Sequence, residues 1–251
     1  MRQYLRKIYK VLFRNRLLLP LVEARPHNIF AYLRFLKDYV AYRKKLPPKE
    51  PLSVWPRLGE KAASVDFHYF YQGVWAAQKI QATKPIEHVD VGSQVDLIGF
   101  LTTITRVTFV DLRPLPVQLD GLTNIQGTIL DLPFPDNSVK SLSCLHVAEH
   151  IGLGRYGDHL DPEGTIKACR ELSRVLAKNG NLYFSLPIGK KHTFFNAHRV
   201  HEPQTILSYF PSLKLAEFSA INDRGQFITH AQMEKLENEK YACGLFHFTK
   251  E

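Results

Sequence analysis

The chain has little cysteine: Cys144, Cys169 and Cys243 are widely spaced among 251 residues and form no CxxC pair. Reduced, buried thiols in a cytoplasmic protein are therefore expected, not a disulfide framework. Long apolar runs are missing too. No stretch reaches the length of about 18 residues that a membrane span needs. The nearest candidate for a secretory signal, Leu17 to Val22, is interrupted by Pro20 and has no small-residue cleavage site after it. There is no internal repeat and no low-complexity tract. What is present is a 45% apolar composition, ample for a packed core. The length suits one α/β domain of about 150–200 residues with a smaller appendage.

Positive charge is confined to one end. Residues 1–50 carry 13 Lys and Arg against Glu23, Asp38 and Glu50, whereas the other 201 residues hold 20 basic and 21 acidic groups. The net charge of +9 thus belongs to the front of the chain, and the remainder is close to neutral. A neutral domain with a basic appendage argues against nucleic acid as a partner and for a tether. Residues 1–19 fit an amphipathic helix, with Arg2, Arg6, Lys10 and Arg14 on one stripe and Leu5, Ile8 and Leu12 opposite. That face suits peripheral contact with an anionic membrane. Packing of the helix on the domain or on a partner is the alternative.

Proline and glycine divide the rest. A second helix is expected over 28–45, and Pro47, Pro48 and Pro51 then form a stiff linker. A third helix is expected over 66–82, where His68 or Tyr71 could touch a ligand although an aromatic stripe usually means core. This gives three segments: a basic helical appendage (1–50), a linker with a pre-domain helix (51–85) and the main domain (86–251). In that domain, strands are expected at 86–91, 106–111, 123–127, 140–145, 181–186, 213–219 and 241–248. Helices are expected at about 93–103, 163–177 and 203–209. Such alternation predicts a doubly wound, mostly parallel α/β sheet.

The chemistry-bearing residues fall at the strand ends. Asp90, Gly92 and Ser93 close the first strand, where a glycine turn lets backbone N–H groups approach a ligand. Asp111 and Leu112 close the second, about 20 residues on, where a carboxylate can accept both hydroxyls of a ribose. Asp131 and Leu132 follow the third. His146-Val-Ala-Glu149-His150 ends the fourth and runs into Gly152-Leu-Gly-Arg155-Tyr156-Gly-Asp158, a loop suited to an acceptor. His192, His198 and His201, with Asn196 and Arg199, cluster after the fifth.

The order Asp90-x-Gly92, Asp111, Asp131-Leu-Pro-Phe, Ala148-Glu-His150 resembles the class I S-adenosylmethionine-dependent methyltransferases over residues 86 to about 189. The resemblance implies a Rossmann-like sheet of seven strands with the last antiparallel, and S-adenosyl-L-methionine as cofactor. It places Asp90, Gly92, Ser93, Asp111, Leu112, Asp131, Leu132 and His146 around that cofactor, with Asp131 at the adenine amine. Gln94 and Asp96 stand where the family carries two further glycines. The general base would be Glu149, His150 or His198, among which the sequence does not choose. Arg155, Tyr156, Asn196 and Arg199 would face the acceptor. More narrowly, residues after 60 resemble a family of unknown function whose bacterial members accompany surface-polysaccharide gene clusters. The acceptor implied is a small-molecule or lipid-linked glycan, O-methylated at the cytoplasmic face of the inner membrane.

Three rivals stand beside this reading. The thinned glycine turn favours a non-catalytic binding protein of the same fold. An RNA methyltransferase lacks support in the neutral domain and in the absence of an Asn-Pro-Pro-Tyr string. A zinc hydrolase built on His146 and His150 requires a helix, but the string follows the strand SLSCL directly, and no acidic third ligand is obvious. No metal is expected.

Overall fold

A computed structural model describes residues 29–48, 50–52 and 65–251. The helix expected over residues 1–19 and its membrane contact lie outside the described residues. The chain divides into two units at Ser64 and Val65. In the first, helix α1 (Ile29–Lys45) ends on Arg43, Lys44 and Lys45, a basic last turn that complements the helix dipole. Arg43 turns back to donate to the carbonyls of Pro48 (2.7 Å) and Glu50 (2.8 Å), closing the helix against the proline segment.

The second unit begins earlier than residue 86, because helix α2 (Phe67–Thr83) belongs to it. Asp66 caps α2 by accepting from the backbone N–H groups of His68 (3.1 Å) and Tyr69 (3.2 Å). Five parallel strands follow: β1 (Glu87–Val91), β2 (Arg106–Asp111), β3 (Leu122–Gln126), β4 (Val139–Leu145) and β5 (Leu176–Ile188). Short helix α3 (Val95–Leu101) joins β1 to β2, and α4 (Gly164–Val175) joins β4 to β5. A hairpin of β6 (His192–Phe194) and β7 (His198–Val200) stands apart from the sheet. Helix α5 (Thr205–Tyr209), β8 (Lys214–Ile221), the two-residue β9 (Phe227–Ile228) and β10 (Ala242–Thr249) complete the unit.

The strand order is β3-β2-β1-β4-β5-β10-β8-β9, with β10 antiparallel to both β5 and β8. This is the expected seven-stranded sheet with an antiparallel last strand, and β9 is added as an eighth at the edge. β5 is longer than the expected 181–186. Leu176 already pairs with Val139, ahead of an irregularity at Asn179, which has φ +57°.

The sheet has an apolar layer on each face. Trp75 and Ile80 of α2 and Leu97 and Leu101 of α3 pack against Phe109 and Tyr183 on one side. Leu172 of α4 and Ile206 of α5 pack with Leu142, Phe184 and Phe246 on the other. Phe184 follows Tyr183 and enters the opposite layer, as period-two alternation requires. Ala168, Cys169, Leu172 and Val175 share the buried face of α4 at helical spacing. All three cysteines are buried thiols. Neighbours β1 and β4 have connections that leave in opposite directions, which makes their carboxyl ends the switch point where such sheets bind ligands.

Candidate active site

A polar chain beneath that switch point fixes it. His88 on β1 lies between the hydroxyls of Ser141 and Ser143 on β4, at 2.8 Å from each. Ser143 in turn donates to Asp90, whose carboxylate also accepts from the Ser93 N–H (3.0 Å) and hydroxyl (2.7 Å). Burial pushes the Asp90 carboxyl up to about 6 against these hydrogen bonds, and burial pushes His88 down to about 3. The Ser93 hydroxyl also accepts from the Leu145 N–H (3.1 Å), tying the turn to the end of β4. Asp90 is fully buried beneath the turn and lines neither cavity.

Above the chain is a cleft of about 560 Å³, lined by Gly92, Ser93, Asp111, His146, His150 and Tyr156 among others. A smaller annex of about 140 Å³ reaches under Leu112 to Gly127, Thr128 and Ile129. Gly92 has φ +68°, and a Cβ there would meet the two Val147 methyls at 3.2 and 3.3 Å. Only glycine keeps that wall open without strain. One Asp111 oxygen accepts from the Arg113 N–H (2.7 Å), and the other lies toward Gly92.

Asp131 is exposed, and the Leu132 N–H donates to the Glu171 carboxylate (2.7 Å); neither residue lines the cleft or the annex. Thr128 and Ile129 line the annex. β3 ends at Gln126, so the first residues after it reach the annex.

His146 occupies a left-handed backbone conformation (φ +56°) at the end of β4, a conformation that is costly for a residue with a Cβ and frequent at functional sites. Its Nδ1 meets Glu149 Oε1 at 2.8 Å, and its Nε2 is buried with no hydrogen-bond partner. Burial works against the charged imidazole, but Cys243 and Glu149 push its pKa well above the ordinary value. Burial would raise Glu149, yet His146 holds that carboxyl below its usual range. Ala148–His150 forms one 3-10 turn, not an α-helix, and among the described residues His146 and His150 belong to no shared metal-donor set.

His150 reaches both cavities. Its Nδ1 lies 2.6 Å from the Ala197 carbonyl and 3.2 Å from Arg155 Nη1, and its Nε2 lies 3.7 Å from Glu149 Oε1. Tyr156 stands edge-on to His150 with the guanidiniums of Arg113 and Arg155 each 5.2 Å from its ring centre. Arg155 also lines the cleft.

The other acceptor candidates line neither the cleft nor the annex. Arg199 is 7% exposed and donates to the carbonyls of Ile151 (2.6 Å) and Asp161 (2.9 Å), so it clamps the Gly152–Asp158 loop and does not face the cleft. Asn196, at φ +60°, forms the β6–β7 turn and is exposed. His198 packs between Phe194 and Tyr241 (centroids 4.8 Å from each) and lines neither cavity.

Tyr69 on α2 is the residue that sequence reasoning missed. It and His146 line both the main cleft and a second cavity of about 480 Å³ that also involves Asp66, His68, Asp223 and Tyr241. Tyr71 instead stacks on Phe227 at 5.4 Å. A long cleft over the switch point thus meets a separate cavity at one imidazole and one phenol.

Solved structures share this architecture. Coclaurine N-methyltransferase, bound to N-methylheliamine and S-adenosylhomocysteine, superposes with a TM-score of 0.53 at 10% identity, over 77% of this chain and 74% of that one. The N-methyltransferase NodS of Bradyrhizobium japonicum, with S-adenosylhomocysteine, gives 0.52 at 13% identity over 74% and 88%. The fold is that of the class I methyltransferases. The [4+2]-cyclase SpnF has the same class I fold at 11% identity (TM-score 0.51, over 71% and 81%), so the architecture alone does not fix a reaction. The family model described as "Caenorhabditis protein of unknown function, DUF268" matches residues 137–243. A search of curated proteins returned no match. Among the described residues, no helix is long and apolar enough to cross a membrane.

Proposed function

We propose that this protein is an S-adenosylmethionine-dependent methyltransferase. The observation that carries the reading is the junction at His146 and Tyr69 between the cleft over the Gly92 turn and the second cavity. The residues fit the cofactor: the Gly92 wall stays open only without a Cβ, Asp111 keeps one oxygen for ribose hydroxyls, and the Thr128–Ile129 annex receives a flat base. When bound, S-adenosylmethionine supplies an electrophilic methyl group on a sulfonium.

The chain's own residues would do the rest. His150 Nε2 takes the proton from an attacking hydroxyl, with the Ala197 carbonyl beside its Nδ1. Glu149, buried beneath, orients His146. Tyr69 and Tyr241 offer flat apolar faces in the second cavity, and Asp66, Asn222 and Asp223 offer polar groups. That combination supports a sugar or glycan hydroxyl as the acceptor. The anionic-membrane contact through residues 1–19 and the inner-face location are also part of the proposal, supported by the charge of that segment alone.

Thermal unfolding with S-adenosylmethionine and S-adenosylhomocysteine tests the reading. Ligand at about 100 times its dissociation constant stabilises the folded state by about 2.7 kcal/mol. No shift at millimolar ligand would overturn it. The engaged Leu132 N–H and the exposed Asp131 favour one second reading, a class I fold that binds ligand without turnover. Cofactor binding without methyl transfer to any glycan tested would support that second reading.

A further inference from the structure

The molecule brings together three metal-capable side chains from three separate elements. His68 comes from the first turn of α2, His146 from the end of β4 and Cys243 from the start of β10, and their ligand atoms lie within 4.8 Å of one another. Tetrahedral zinc with Zn–N near 2.0–2.1 Å and Zn–S near 2.3 Å needs donor separations of about 3.3–3.6 Å, so a contraction of about 1 Å closes the set.

Two further observations point to an ion. The His146 side chain is 3% exposed, yet its Nε2 has no hydrogen-bond partner, which is rare for a buried ring nitrogen. Its other nitrogen meets Glu149 at 2.8 Å, the carboxylate–imidazole arrangement that orients metal-bound histidines. Cys243 is fully buried beside His146, with a long contact of 3.8 Å to the Gly244 carbonyl.

We propose that His68, His146 and Cys243 form a binding site for a zinc-class cation, with Glu149 as the outer carboxylate. One thiolate and two imidazoles make a borderline-soft donor set, and three protein ligands leave a fourth position open. That position faces the second cavity, which His68 and His146 line. It would hold water or, on the methyltransferase reading above, an acceptor oxygen. The set was hidden from sequence reasoning because no two of its members lie at ligand spacing.

The test uses the full-length protein, stripped with a chelator and titrated with Co²⁺ in the absence of S-adenosylmethionine. One equivalent should produce a near-ultraviolet thiolate-to-cobalt charge-transfer band and tetrahedral visible bands, both lost on adding Zn²⁺. Cys243→Ser should remove the charge-transfer band. His68→Gln should keep that band but weaken Zn²⁺ binding by more than about 100-fold, beyond what loss of an outer-shell partner causes. His68 is only partly buried, so this variant carries the test if Cys243→Ser fails to fold. Cobalt binding without the charge-transfer band overturns the proposal, as does unchanged Zn²⁺ affinity in folded His68→Gln. A thermal shift with S-adenosylmethionine on the stripped protein reports the methyltransferase reading separately.

Discussion

Two carboxylates that look alike in the sequence part company at the level of single residues. Asp111 keeps an oxygen beside Gly92 in the cleft, whereas Asp131 is exposed and lines neither cavity. Losing a carboxylate that accepts ribose hydroxyls costs about 1.5–3 kcal/mol, or about 10- to 100-fold in affinity. Asp111→Ala should therefore weaken S-adenosylhomocysteine binding by that factor in calorimetric titration, and Asp131→Ala should bind as the parent does. Equal losses in both variants would place the adenine back at Asp131. The carboxylate at Asp111 was legible because it ends a strand whose limits are written in its apolar pattern. Asp131 was not: the loop after β3 doubles back through a Thr128–Asp131 bridge, and no local sequence signal fixes where such a loop points.

The element that matters most is the Gly152–Asp158 loop. It is packed with glycine yet firmly held. Asp158 accepts from the N–H groups of Gly152 (2.6 Å) and Tyr156 (3.2 Å), and Arg199 grips both ends through Ile151 and Asp161. At Gly152 a Cβ would collide with the Asp161 carbonyl, and φ is +81°. Arg199→Lys keeps the charge but cannot reach both carbonyls from a fixed fork. It should lower unfolding free energy by about 1–3 kcal/mol in urea titration and speed proteolysis within residues 152–158. Unchanged stability with an intact loop would show that the clamp is dispensable. The loop itself was readable from its glycines. Its clamp was not, since Arg199 lies on β7, a three-residue strand of a hairpin with too little pattern to announce itself.

For the whole molecule, the buried groups set how stability responds to acid. Burial holds His88 at about 3 and His201 at about 4, below an ordinary histidine value near 6.5. The folded state then binds fewer protons than the unfolded one, so these groups' contribution is complete above about pH 6.5 and is lost as pH falls toward 4. Asp90, raised to about 6, runs the other way: its contribution is present below about pH 4 and lost as pH rises through 6. Glu149, held below its usual range, adds to the loss in acid, whereas His146, pushed well above its ordinary value, runs with Asp90. His88→Gln should flatten the fall in unfolding free energy between about pH 7 and about pH 5 by up to about 2 kcal/mol. An unaltered slope in urea titrations at those two pH values would assign acid sensitivity elsewhere.

The doubly wound, mostly parallel sheet was also legible as a whole, because alternating strands and helices leave few ways to wind. The position of β10 has a consequence in time. It lies between β5 and β8, not at an edge, so the central sheet stays open until Ala242–Thr249 has been synthesised. Until then β5 and β8 each present an unpaired side, and their mutual attachment waits on the last strand to arrive. Cys243 arrives with that strand. The central sheet and the three-element donor cluster are thus both incomplete until β10 is in place.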